Sequence, residues 1–283
     1  MRSEVIELLE PQNREGVFLD ATLGGGGHSE LILESSPKIR LLGIDRDPEA
    51  IDYASLKLKP FKDRCLLFCD NFINLKRILR KAEVEGLSGV IFDLGVSLHQ
   101  LTSRERGFSY TLNGPLDMRM NPREGSPLKE VIKRTSCETI ERVLRDYGEE
   151  PYASSIAKRI FEDREGIQTT QDLVRVISKV VPRRMVKKSL ARVFQAFRIK
   201  VNRELESLSR GLKEAIESLL PRARIVVISY HSLEDRIVKN TFKEYKVKGL
   251  LKLLTKKPLR PTPEEIRENP RSRSAKLRAA ERL

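Results

Sequence analysis

DATLGGGGHSEL, residues 20–31, sets four consecutive glycines and a histidine between an apolar run, GVFLD (16–20), and a second one, LILE (31–34). Glycine lets the main chain approach a ligand closely and take positive φ, and a helix starting just beyond it offers unpaired amides. Strand, glycine loop and helix in that order form a cofactor cradle. A phosphate-gripping P-loop is disfavoured, because it ends in Gly-Lys-Ser/Thr and this loop ends in Gly27-His28-Ser29. A nicotinamide loop counted from Gly24 matches weakly, since Ser29 stands where its third glycine belongs. The third class is S-adenosylmethionine, whose loop follows a strand ending in an acid and carries clustered glycines without gripping a pyrophosphate. Asp20 supplies the acid, Gly24, Gly26 and Gly27 the close approach, and Asp45 an acceptor for ribose hydroxyls. The spacing from Gly24 to Asp45 also suits NAD, so Asp45 alone does not separate the two.

Working outward, the first hundred residues alternate short β-branched runs with helical patterns, which predicts a parallel α/β sheet. Strands are expected at 17–19, 39–44, 65–68 and 90–92, with helices at 29–34, 48–58 and 73–83. Aspartates follow these strands: Asp20, Asp45, Asp70 and Asp93. In an open parallel sheet, ligands sit outside the carboxyl ends of the strands, so these acids face one crevice. Residues 101–168 mix loop signals such as NGPLDMRMNPREGSP with helical stretches. Helix is expected over 170–200, interrupted at Pro182, and VNRELESLSRGLKEAIESLL (201–220) reads as one long amphipathic helix. RARIVVISYH (222–231) restores a buried strand, and Ser232 with Asp235 reads as an imperfect capping box opening the next helix. Two last strands are expected at 250–254 and 276–281. The predicted organisation is a discontinuous sheet domain, 1–100 and 201–283, interrupted by a mainly helical insertion, 101–200.

The 283 residues carry 54 basic and 40 acidic side chains, a net +14. The excess is regional: 13 basic and 16 acidic residues over 1–100, 21 and 13 over 101–200, 20 and 11 over 201–283. PRRMVKKSLARVFQAFRIK (182–200) has seven basic residues and no acid, the footprint of a phosphate-binding surface. Arg183, Arg184, Lys187, Lys188 and Arg192 are its candidate RNA contacts. Cys65, Cys69 and Cys137 are too few for a disulfide framework, and Cys65 and Cys69 are expected on one face of a core strand. No metal site is expected. No apolar stretch is long enough to span a membrane and no signal peptide is evident, so a cytoplasmic location is expected. A homodimer is compatible with the sequence, which does not decide the oligomeric state.

DATLGGGGHS, GIDRDPEA, VIFDLGVSLHQL, ERGFSY, GPLDMRM, YGEEPYA, FQAFRIKVNRELE, VVISYHSLEDRIVK and NPRSRSAKLRAAER follow one another from residue 20 to residue 282. In content and order they resemble the ribosomal RNA small-subunit methyltransferase H (RsmH/MraW) family. The resemblance implies a class I, Rossmann-like S-adenosylmethionine-dependent fold with a mostly parallel seven-stranded sheet and an inserted helical substrate-recognition domain. It implies methylation of the exocyclic N4 amine of one cytidine in the decoding region of 16S rRNA, with the small ribosomal subunit as partner. Matched motif by motif, it assigns Gly26, Gly27, His28, Asp45, Phe72, Asp93 and Gln100 to the cofactor. Two stretches depart from the family pattern. The chain reads MRSEVIELLEP where a His-x-Pro-Val stretch is usual, and LGVSLHQL follows Phe92-Asp93 in place of LGVSSPQL.

A cytosine amine is a poor nucleophile because its lone pair is delocalised into the ring, so an enzyme acting on it needs acceptors for its N–H groups and in-line positioning. The absence of a Pro-Cys motif argues against covalent attack and carbon-5 methylation. Asp93 is the expected acceptor, His231 a second candidate as proton acceptor, and Asp117 with Arg119 either positions the nucleotide or locks its own loop by an ion pair. Two other readings share part of this pattern: a non-catalytic ribosome-binding or assembly factor, and a methyltransferase of another nucleic acid.

Overall fold

The computed structural model describes Met1–Leu283. The chain divides into two compact units, residues 1–95 with 205–283, and residues 96–204. The first unit contains α1 (Arg2–Leu9), β1 (Gly16–Asp20), α2 (Gly27–Ser35), β2 (Ile39–Asp45), α3 (Pro48–Lys57), β3 (Cys65–Cys69), α4 (Leu75–Lys81) and β4 (Leu87–Asp93). The second holds α5 (Leu98–Thr102), α6 (Leu128–Arg134), α7 (Cys137–Gly148), α8 (Ala153–Asp163), α9 (Thr170–Val180) and α10 (Val186–Asn202). The chain then follows α11 (Glu204–Glu217), β5 (Leu219–Ser229), α12 (Ser232–Val247), β6 (Leu251–Leu253), α13 (Pro263–Glu268) and β7 (Lys276–Arg282), completing the first unit.

The seven strands form one sheet in the order β3-β2-β1-β4-β5-β7-β6. The first five are parallel, and β7 runs antiparallel to both neighbours. β4 is buried along its length except at Asp93, as a strand covered on both faces must be. One face packs Leu75, Ile78, Leu212, Ile216, Val238 and Phe242 from α4, α11 and α12. The other packs Val5, Leu9, Ile32, Leu33 and Ala54 from α1, α2 and α3. Each of these side chains except Ala54 contributes roughly 1.5–3 kcal/mol of burial. Gly89 is fixed by the neighbouring strand: a Cβ there would lie 2.3 Å from the Phe18 ring.

The second unit has its own core, built on Ile140, Leu144, Ile156, Ile160, Leu173, Ile177, Val193 and Phe197. Within each helix the two stand four residues apart, so each helix buries one stripe. Ser136 caps α7, and Thr169 with Asp172 forms a capping box on α9.

Three local readings are corrected. The helix expected over 201–220 is shorter at both ends, Glu204–Glu217: Arg203 takes a left-handed φ of 51°, separating α10 from α11, and Leu219 and Leu220 already belong to β5. The cap of α12 is His231 rather than Ser232, with Glu234 closing the box; Asp235 instead pairs with Arg278 at 2.6 Å. Cys65 and Cys69 share β3 as expected, but β3 is the sheet's edge, leaving Cys65 half-buried and Cys69 exposed.

Candidate active site

The glycine loop is stitched to the three central strands. Ala21 N–H donates to Ile91 O and Leu23 N–H to Ile44 O, both at 2.9 Å, and Gly24 N–H donates to Asp45 Oδ2 at 2.8 Å. Gly24 and Gly26 sit at φ 48° and 72°, left-handed values that cost other residues about 1–2 kcal/mol. Gly26 caps α2 without a side-chain acceptor, which leaves first-turn amides available to a ligand. At Gly27 a Cβ would come within 2.9 Å of the Arg2 guanidinium.

Asp20 acts inside this scaffold. It is buried, accepting from Ser29 Oγ at 2.7 Å and Thr22 N–H at 3.2 Å, and burial raises its pKa. It thereby pins the start of α2 to the end of β1. Asp45 accepts from Gly24 N–H through Oδ2 and from Asp47 N–H at 2.9 Å through Oδ1. Desolvation outweighs these two bonds and pushes its pKa up to about 6.

Asp93, at the end of β4, is the meeting point. Its backbone N–H donates to Thr22 Oγ1 at 2.6 Å. Its Oδ1 accepts from the Tyr230 hydroxyl at 2.9 Å, and its Oδ2 lies 3.5 Å from His28 Nε2. Burial and the Asp93 charge both push the Tyr230 pKa upward, so the phenol remains a donor. The Nδ1 of His28 is buried and makes no hydrogen bond.

Asp20, Gly24, Gly26, Gly27, His28, Asp45 and Asp93 therefore gather at the carboxyl ends of β1, β2 and β4. Phe72 lies just beyond β3 with its ring edge-on to Phe92, centroids 5.4 Å apart, and pressed on Gly211 of α11. Asp70 accepts from Asn71 N–H and Asn74 Nδ2 and pairs with Arg77. His231 is held by Glu234, with Nε2 3.1 Å from Oε1 and Nδ1 accepting from the Glu234 N–H at 3.5 Å.

The remaining candidates belong to the 96–204 unit. Gln100 is buried and closes the capping box of α5, accepting from Ser97 N–H at 3.1 Å. Asp117 and Arg119 form a two-pronged ion pair with both N···O distances 2.7 Å. Between them Met118 is buried at a left-handed φ of 62°, its carbonyl accepting from Asn202 Nδ2 at 2.8 Å. Asn202 Oδ1 also accepts from Met120 N–H at 2.7 Å, while Arg106 donates to the Met120 carbonyl at the same distance. Arg183, Arg184, Lys187 and Lys188 are exposed at and just before the start of α10. Arg192 differs, being half-buried with its guanidinium 3.9 Å from buried Glu150.

Three participants escaped the sequence reading: Tyr230, Thr22 and Ser29. Tyr230 and Thr22 hold Asp93, and Ser29 holds Asp20. Each stands within two residues of a strand or helix end that already carried a flagged residue, and that adjacency was the available signal.

The model of the MraW methylase family matches residues 1–283. The chain belongs to the MraW methylase family. Among curated relatives, the ribosomal RNA small subunit methyltransferase H of Thermotoga neapolitana is 47% identical over 99% of this chain and 94% of its own. That of Persephonella marina is 45% identical over 96% of this chain and 94% of its own. Among solved structures, an rRNA methylase from Streptococcus thermophilus superposes with a TM-score of 0.46 at 12% identity, covering all of this chain and 93% of that one.

Proposed function

We propose that this MraW-family protein methylates the exocyclic N4 amine of a cytidine in the decoding region of 16S rRNA, with S-adenosylmethionine as donor. Family membership and the names of its relatives support the coarser statement, a small-subunit rRNA methyltransferase dependent on S-adenosylmethionine. The observation that carries the finer reading is the Asp93 carboxylate, held by Tyr230 at the mouth of a glycine-loop crevice.

The crevice fits the donor. The buried, unpartnered Nδ1 of His28 sits in the loop itself, and Asp45 offers a desolvated carboxylate to ribose hydroxyls. Gly24, Gly26 and Gly27 give the close main-chain approach, and Phe72, His28 and Asp93 are further proposed contacts. When bound, S-adenosylmethionine supplies an electrophilic methyl group on a sulfonium.

The protein's own part is to hold the amine and receive its proton. Asp93 accepts a hydrogen bond from the target N–H, drawing the nitrogen toward a tetrahedral lone pair. Tyr230 fixes the carboxylate's orientation through Oδ1 and leaves Oδ2 toward His28. Asp117 and Arg119, on a loop clamped by Asn202 and Arg106, serve to position the nucleotide. Arg183, Arg184, Lys187 and Lys188 bind flanking phosphates, within a substrate-recognition role for residues 101–200. Arg192, turned to Glu150, supports that surface from behind.

The deciding experiment is methyl transfer from labelled S-adenosylmethionine to assembled small subunits, naked 16S rRNA and duplex DNA, followed by nucleoside mass spectrometry. N4-methylcytidine at one decoding-region position is the expected product. Label in DNA, or at carbon 5, overturns the reading.

A further inference from the structure

The basic excess of residues 201–283 is not absorbed by the site described above. Much of it lies between β6 and β7, where residues 252–273 carry seven basic side chains and three acids. Lys256, Lys257, Arg260, Arg271 and Arg273 are exposed and form no ion pair. Of the acids, Glu264 is taken by Arg267 at 2.9 Å and Glu265 by the Met1 nitrogen.

Sheet register fixes where this segment lies. Because β7 is antiparallel to β5, with Lys276 opposite Ser229, β7 begins at the edge where β4 and β5 end. Asp93 pairs with Ile228 on that same edge. Leu259 bridges Leu277 in antiparallel fashion, so Arg260 falls beside Lys276. A 3-10 turn over Pro270–Ser274 leads directly into β7 and carries Arg271 and Arg273. All three arginines therefore stand at the carboxyl-end rim of the sheet, where Asp93 and the glycine loop also lie. The electrostatics agree: the Met1 nitrogen that meets Glu265 of α13 also feels the Asp93 charge.

We propose that Arg260, Arg271 and Arg273 form an RNA-phosphate grip on the sheet unit itself, at the rim of the crevice. This rests on the RNA-methyltransferase reading above and extends it to basic residues of the sheet unit, in addition to those at the start of α10. Guanidinium groups suit phosphate because their planar donors pair with two oxygens at once. Pro258, Pro261, Pro263 and Pro270 stiffen the chain around the arginines, so little backbone freedom is lost on binding. The grip holds the strand beside the target nucleotide, while the crevice holds the base.

The test is a salt titration of binding to a 16S rRNA fragment by the full chain and by the triple variant R260A/R271A/R273A. Each neutralised phosphate contributes roughly 0.7–0.9 to the slope of log affinity against log salt, so the variant's slope should be shallower by about two. Affinity near 0.1 M salt should fall at least about tenfold, with S-adenosylmethionine affinity and melting temperature unchanged. The triple lysine variant R260K/R271K/R273K keeps the charge and should recover most of the slope. An unchanged slope in the alanine variant overturns the proposal, as does a loss confined to vesicles of phosphatidylglycerol. A wild-type protein that binds the RNA with the expected slope but transfers no methyl group refutes the proposed activity and leaves the grip standing.

Discussion

Asp45 makes donor binding and fold stability respond to pH in opposite directions. Its pKa rises from the ordinary 3.8 to about 6, chiefly by desolvation, although Gly24 and Asp47 both donate to it. Holding that carboxylate ionised in the free protein at neutral pH therefore costs about 3 kcal/mol. Because the folded pKa lies above the unfolded one, this contribution to stability is fully present below about pH 4 and is lost as pH rises through about 6. Ribose hydroxyls need the ionised form as acceptor, so donor affinity grows over the range in which stability falls. Between about pH 7 and about pH 5 the ionised fraction drops about tenfold, and the S-adenosylmethionine Kd, read by titration calorimetry, should rise by the same factor. In Asp45→Asn the affinity at neutral pH should fall about a hundredfold, for the loss of charge-assisted hydrogen bonds, and this pH dependence should vanish. The stability gain in that variant should stay below 3 kcal/mol, since the new amide must turn its NH2 toward either Gly24 N–H or Asp47 N–H. A wild-type Kd flat across this range, or an Asp45→Asn variant with the same pH dependence, refutes the assignment.

Tyr230→Phe removes the hydroxyl that holds Asp93 Oδ1 and should lower kcat about ten- to a hundredfold, with donor Kd changed less than about twofold; a parallel loss of donor binding would place Tyr230 in the cofactor site instead. Gly26→Ala forces alanine to the left-handed φ of 72° and should cost about 1–2 kcal/mol, read as a lower denaturation midpoint. Lys187→Ala with Lys188→Ala should flatten the salt dependence of RNA binding by about 1.5 in log–log slope, with cofactor affinity intact by calorimetry. Asn202→Ala strips buried partners from Met118 and Met120 and should destabilise the protein by about 2–4 kcal/mol, measured by chemical denaturation.

The glycine loop was legible because its chemistry is carried by residue type: only glycine takes φ of 48° and 72° cheaply, so GGGG after an apolar run announces the turn before any fold is known. Strands β1, β2 and β4 were legible for a similar reason, as buried apolar runs that end in Asp20, Asp45 and Asp93. What escaped depends on tertiary partners. Arg203 breaks a helix without a glycine or proline to mark it, and it does so where the chain passes from one unit to the other. Cys69 looked like a core residue because nothing local says that β3 has a neighbour on one side only. His231 rather than Ser232 caps α12 because β5 delivers His231 in extended geometry, at φ −139°, one residue before the helix. Tyr230 bonds to a residue 137 positions away, a pairing that no periodicity encodes.

The placement of β5 between β4 and β7 also governs how the chain assembles. β4 exposes a bare hydrogen-bonding edge until β5 exists, and β5 is synthesised only after all of residues 96–204. The helical unit can collapse during that interval from contacts within its own stretch, whereas the nascent sheet waits half-built, its apolar strand open to wrong partners. Chaperone dependence during translation should accordingly track the first ninety-five residues rather than the helical segment, and separating the two in pulse-chase proteolysis would reveal an early protected fragment from the middle of the chain.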